Sequence, residues 1–191
     1  MDQVTERSGI TSRVIPLVRA WSPYLQVVGG ALLLASLAQF RVHLPFTPVP
    51  VTLQTFTIFL MGLMLGPKKA PAAVLLYLVG ASAGLPILAG GSINLFWFMG
   101  PGAGYLVGFV LAAAAMGYLS SRELKTSFFK CCLIAALGEL IILSCGFAGM
   151  TRLFGAQQAL LAGVIPFLLP ALYKIIAAAS IASGTSRLRS R

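Results

Sequence analysis

Residues 51–88 read VTLQTFTIFLMGLMLGPKKAPAAVLLYLVGASAGLPIL, two apolar runs parted by the stretch's only charged residues, Lys68 and Lys69. A helix crosses a bilayer core with roughly 20 mostly apolar residues, fewer or more when tilted or broken. The pair therefore reads as a membrane hairpin, from about Val51 to Leu65 and from about Ala70 to Leu88, turning at a basic loop. Working outward adds four more candidate spans, at about Trp21–Phe40, Pro101–Leu119, Phe129–Met150 and Gln157–Ser183. The expected fold class is an all-α membrane protein, a bundle of six transmembrane helices in one domain over 1–191. Short tails of about 1–20 and 184–191 flank it.

Composition agrees. Of 191 residues, 58% are hydrophobic and 9% charged, whereas a soluble domain is typically about 25% charged. Mean hydropathy is +0.92. The net charge of +10 raises nucleic acid as a partner, yet the basic residues sort by loop. With both termini cytoplasmic, 11 of the 14 face the cytoplasm: Arg7, Arg13, Arg19, Lys68, Lys69, Arg122, Lys125, Lys130, Arg187, Arg189 and Arg191. That asymmetry is the positive-inside pattern, so no nucleic acid is needed to explain the charge. Arg41 and Arg152 fall on the other side, and Lys174 lies within the sixth span.

Enzyme chemistry finds few groups. His43 is the single histidine, Asp2 in the tail is the single aspartate, and no carboxylate dyad or zinc motif assembles. Cys131, Cys132 and Cys145 cannot build a disulfide framework or, with one histidine, a metal site, and read as small apolar packing. No extramembrane segment is long enough for a nucleotide-binding domain, so any energy source is expected on another chain.

Four features carry the functional reading. Ala31 and Ala35, with Gly30 and Ala38 nearby, form a small-residue row on the first span. Such rows allow close helix contact, either with a docking partner or inside the bundle itself. Pro45, Pro48 and Pro50 hold the first loop extended ahead of Thr52, Gln54 and Thr55, which fits a lid over an outward pocket or a plain connection with a helix cap. The stretch from Gly90 to Tyr105 mixes glycines with Asn94, Phe96, Trp97 and Phe98. Irregular backbone at membrane depth lines a cavity or is buried by protein, so a ligand pocket and tight helix packing both remain open. Finally, Glu139 and Lys174 are ionisable residues inside spans, which by default mark function. Lys174, just after Pro166 and Pro170, has an anionic substrate, Glu139, or both as partners; snorkelling and a structural ion pair are the alternatives.

At this point four blocks resemble one family: 48–55 (PVPVTLQT), 61–69 (MGLMLGPKK), 76–86 with its Gly84-Leu85-Pro86 end, and 100–109 (GPGAGYLVGF). In order and spacing the chain is similar to BioY, the biotin-binding membrane subunit, or S component, of energy-coupling factor (ECF) transporters. The resemblance implies a six-helix bundle in a bacterial inner membrane that captures biotin from outside. It also implies docking, through the small-residue face of the first span, onto a transmembrane coupling subunit driven by two ATPase subunits. The chain itself is expected to use no cofactor, ATP being consumed by those partners.

By the same resemblance Asn94 falls where the family has a ring-binding asparagine, and Lys174 matches its sixth-span lysine. Gln54 from the lid, the aromatics Phe96, Trp97 and Tyr105, and Glu139 complete the expected biotin site. One departure stands out: Leu169, Pro170 and Ala171 replace a proline, glycine and aspartate, so the family's aspartate is missing. A self-contained facilitator, or the same scaffold for another vitamin, is the alternative expectation.

Overall fold

The computed structural model describes residues 22–121 and 127–189, with side chains through 186. The N-terminal tail with Arg7, Arg13 and Arg19, the basic loop residues Arg122 and Lys125, and the side chains of Arg187, Arg189 and Arg191 lie outside the described residues. The chain is mostly helical. Helix α1 covers Ser22–Leu37 and is followed by a two-strand ribbon, β1 (Arg41–Val42) and β2 (Val51–Thr52), paired antiparallel with Arg41 opposite Thr52. Then come α2 (Gln54–Ser82), α3 (Ala103–Ser121), α4 (Phe128–Phe154), α5 (Ala156–Gly163) and α6 (Ile165–Arg189). Four helical stretches among the described residues are long and apolar enough to cross a membrane: α2, α3, α4 and the α5–α6 run.

The hairpin expected at 51–88 forms with almost no loop: the two halves of α2 fold back on each other, so that Gln54 reaches Tyr77. Gly66, at φ 82° and ψ −179°, leaves the helical region and divides α2 into 54–65 and 67–82. A side chain is strained at that positive φ, which glycine tolerates. Pro67 next to it has no N–H to offer the Leu63 carbonyl one turn back. That carbonyl is recovered by Ser120 of α3, whose hydroxyl donates to it at 2.7 Å. In lipid a freed backbone group must find such a partner inside the protein. Gly117, one turn before Ser120, packs directly on the bend: a Cβ there would stand 2.6 Å from the Gly66 carbonyl carbon.

The sixth expected span is likewise divided. The helix pauses at Val164, and Pro166 falls in the first turn of α6, where its missing N–H costs nothing. Pro170 lies within α6. At the start of α4, Ser127 caps the helix by accepting the Lys130 amide through its hydroxyl.

Small residues set the helix contacts. A Cβ on Gly104 would overlap the Cys145 carbonyl, and one on Gly108 would sit 3.0 Å from Ile142 Cα. Thus α3 and α4 run antiparallel with their backbones nearly touching. Gly30 of α1 faces Met61 and Ala73, and Ala31, Leu34 and Ala38 are buried on the same side. The small-residue row therefore admits α2 into the bundle; Ala31 is only 8% exposed, and Ala35 packs partly against the core. Burial corrects the expectation that Ala31 lies on an open docking surface. Leu25, Leu32, Val79, Leu111, Leu133, Leu140 and Leu172 face outward instead, the inside-out apolar surface that suits lipid.

Candidate functional site

A cavity of about 290 Å³ opens beneath the two loops that precede α2 and α3. It lies near the lower end of the usual ligand-pocket range, roughly 300–1,000 Å³. Its roof comes from the β1–β2 loop, with Arg41, His43, Pro48, Val49 and Pro50. One side comes from the α2–α3 connection, with Leu88, Ser92, Asn94, Trp97 and Gly102; the walls and floor come from the helices.

Backbone chemistry holds the roof in place. Prolines keep the first loop out of helix, and the ribbon is extended by Leu53 N–H donating to the Phe40 carbonyl at 3.3 Å. Thr47 folds the loop tip by bonding both the amide and the carbonyl of Val49. The two loops are then tied together: Gly90 N–H donates to the Ala38 carbonyl at 2.9 Å, and Arg41 Nη1 donates to the Ala89 carbonyl at 3.1 Å. Gly90, at φ 66°, lies so close beneath the Arg41 side chain that a Cβ would collide with the guanidinium.

At the N-terminus of α2 a buried polar chain forms. Thr52 Oγ1 donates to Gln54 Oε1 at 3.0 Å, Gln54 Nε2 donates to the Tyr77 hydroxyl at 2.8 Å, and that hydroxyl donates to the Ile87 carbonyl at 3.0 Å. Gln54 is thus a cavity-lining residue whose amide already fixes the loops. Tyr77, only 1% exposed, was not legible as part of this network, since nothing in an apolar run distinguishes a tyrosine anchored 23 residues away.

The helices contribute a mostly aromatic and aliphatic wall. Tyr105 and Phe167 face each other at 5.7 Å with planes tilted by 37°, and Phe109, Ile142 and Leu143 continue the surface. The Tyr105 hydroxyl donates to the Gly163 carbonyl at the α5–α6 break, so its ring lines the cavity while its polar atom serves the bundle. Trp97 also reaches the cavity, and its indole N–H donates to Ser82 Oγ at 3.0 Å. Phe96 does not line it: 63% exposed, its ring meets Phe98 edge-on at 6.1 Å. The Phe96 amide donates to Asn94 Oδ1 at 3.0 Å, which fixes the backbone turn there, and Ile93, Leu95 and Phe96 are all exposed along it. Asn94 lines the cavity from this exposed turn.

Both intramembrane charges reach the same cavity. Lys174 of α6 donates to Thr55 Oγ1 at 2.9 Å, and Glu139 of α4 is 7% exposed on the wall. Of the expected residues, Gln54, Asn94, Trp97, Tyr105, Glu139 and Lys174 therefore share one space, while Phe96 is outside it. Arg41, Phe109 and Phe167 join them. An arginine at a loop end and phenylalanines in apolar runs carry no signal of their own. The arrangement offers apolar faces for a compact ring, one cation and one carboxylate within the membrane, and a second cation at the mouth.

Comparison with known proteins gives this geometry its context. A model of the BioY family matches residues 11–191. A probable biotin transporter BioY from Pyrococcus horikoshii is 32% identical over 142 residues, 74% of this chain and 83% of its own. A biotin transporter BioY from Thermotoga maritima is also 32% identical, over 77% of this chain and 86% of its own. Among solved structures, the S-component for biotin from an ECF-type ABC transporter superposes with a TM-score of 0.80 at 24% identity, covering 91% and 93% of the two chains. That likeness establishes the shared fold. The sequence match along nearly the whole length establishes more: the chain belongs to the BioY family.

Proposed function

We propose that the chain is the biotin-capturing membrane subunit of an ECF-type transporter, a single unit over 1–191. Support comes from one observation above others: a cavity of biotin-like size and polarity, in a chain whose family relatives are named biotin transporters. Biotin presents a compact fused ring with a ureido group, a thioether and an aliphatic tail ending in a carboxylate. The aromatic wall of Trp97, Tyr105, Phe109 and Phe167 suits the ring faces, and Lys174, Asn94 and Glu139 supply polar partners.

In this reading α1, the halves of α2 on either side of Gly66, α3, α4 and the α5–α6 run make six crossings of a bacterial inner membrane with both termini cytoplasmic. The tied loops over the cavity act as the lid. Docking onto a coupling subunit, itself driven by two ATPase subunits, uses the outer face of α1, where Ala35 is partly open and Leu25, Val28 and Leu32 are exposed. Surrounding lipid covers the remaining apolar surface, and the chain carries no cofactor of its own.

The test is a binding screen of the purified protein in detergent against biotin, desthiobiotin and thiamine, read by thermal shift and calorimetry. Biotin is expected to raise the unfolding midpoint by several degrees at saturating concentration, because a ligand bound to the folded state stabilises it in proportion to the logarithm of its concentration. A shift with thiamine and none with biotin assigns the scaffold to another vitamin.

A further inference from the structure

The cavity has a direction. Along the α3–α4 contact, Gly104 lies against Cys145 and Gly149, and Gly108 lies against Ile142. Continuing down α4 by one turn reaches Glu139, away from the loops that carry Arg41, His43 and Asn94. Glu139 thus belongs to the helix-walled end, with Lys174 of α6 close enough to interact with its charge, and Arg41 and His43 belong to the mouth.

At the helix-walled end one group is incomplete. Glu139 Oε2 is the one buried side-chain polar atom among the described residues without a hydrogen-bond partner. An unpaired buried acceptor is costly, and such exceptions call for a donor that arrives from elsewhere. Lys174 has a partner in Thr55 and keeps further N–H donors, since an ammonium carries three. This end therefore offers both an acceptor that lacks a donor and a donor with capacity to spare.

A ligand carboxylate is the wrong group for it. Among the described residues Glu139 is the only acidic one lining the cavity, and a second carboxylate beside it would add like charge without supplying a proton donor. The mouth, where Arg41 and His43 stand with no acidic residue beside them among the described lining residues, is the place for an anion. A head with N–H donors flanking a carbonyl fits the helix-walled end on both counts.

We infer that Glu139 is the specificity-determining acceptor of the site: it accepts the ring N–H donors of a cyclic urea, with Lys174 donating to the carbonyl and the ligand's carboxylate turned toward Arg41. This deepens the biotin reading and rests on it. Ala171, buried and off the cavity lining, leaves α6 with no carboxylate for that task, so the acceptor comes from the facing helix.

The experiment compares biotin with its two N-methylated ring analogues, each lacking one N–H, by calorimetric titration of the purified protein and its Glu139→Gln, Glu139→Asp and Glu139→Leu variants. The wild type is expected to bind at least one N-methyl analogue 100-fold or more weakly than biotin. In Glu139→Gln, which keeps the shape but loses the charge and one acceptor oxygen, biotin weakens at least tenfold. The same analogue is unchanged, so discrimination falls below tenfold. Glu139→Asp, which keeps the acceptor, restores part of the discrimination. Unaltered biotin affinity in Glu139→Gln, or discrimination that survives in it, overturns the inference. Glu139→Leu extends the series where its unfolding midpoint matches wild type; the near-isosteric Gln and Asp variants decide the matter without it. Wild-type protein with no affinity for biotin overturns the biotin reading itself, and this inference with it.

Discussion

Lys174 meets Thr55 across 119 residues of sequence, and the pair joins α6 to the first turn of α2 beside the cavity. A lysine in lipid is expensive, which is why its position stood out in the sequence before any contact was known. Its replacement by Met is expected to weaken biotin binding at least tenfold in a detergent titration, because a charge-assisted donor is lost from a site sheltered from water. Thr55→Val should cost less, about threefold, since it removes the positioning hydroxyl and leaves the ammonium. Equal effects of the two substitutions would mean that the hydrogen bond between them, rather than the charge, is what the ligand senses. Gln54 and Tyr105 teach the opposite lesson at this scale. Both line the cavity as the sequence suggested, yet their polar atoms are already committed to Tyr77 and Gly163. Residue type alone does not reveal whether a polar group faces a ligand or a neighbour.

Among the elements, α2 carries the hairpin read from the sequence, its two halves folded back on each other at Gly66. The residues Gly66-Pro67-Lys68-Lys69 marked a turn between two spans, and the backbone does leave the helix at Gly66, but without a loop. What makes the bend tolerable is supplied by α3. Ser120→Ala is expected to lower stability on the order of 1 kcal/mol, by leaving the Leu63 carbonyl without its donor. Gly117→Ala should cost more, about 1–3 kcal/mol, because its Cβ would press on the Gly66 backbone rather than remove a contact. Thermal unfolding midpoints of the two variants in the same detergent check the order. The small-residue row of α1 was readable as a close-packing surface, and so it is. Which side it packs against was not readable, because Gly30 and Ala31 would suit a partner chain as well as they suit Met61 and Ala73.

For the whole molecule, an apolar exterior surrounds a cavity roofed by two tied loops, and the proposed energy source lies outside the chain. Proteoliposomes containing this protein alone are expected to bind biotin without accumulating it against a gradient; accumulation without added ATPase subunits would favour the self-contained facilitator. The sequence by itself determined the membrane class, the apolar segments, the family blocks and the two costly charges. Each of these is written in composition or spacing, since lipid imposes long apolar runs and makes any exception conspicuous. Only the tertiary structure decided that Glu139 and Lys174 share one cavity, that Phe96 is outside it while Arg41, Phe109 and Phe167 are within, and that Ala31 is turned inward. Those outcomes depend on how far α3 and α4 can approach and where α2 and the α5–α6 run break, so the direction of each side chain is fixed by contacts between helices rather than by its neighbours along the chain.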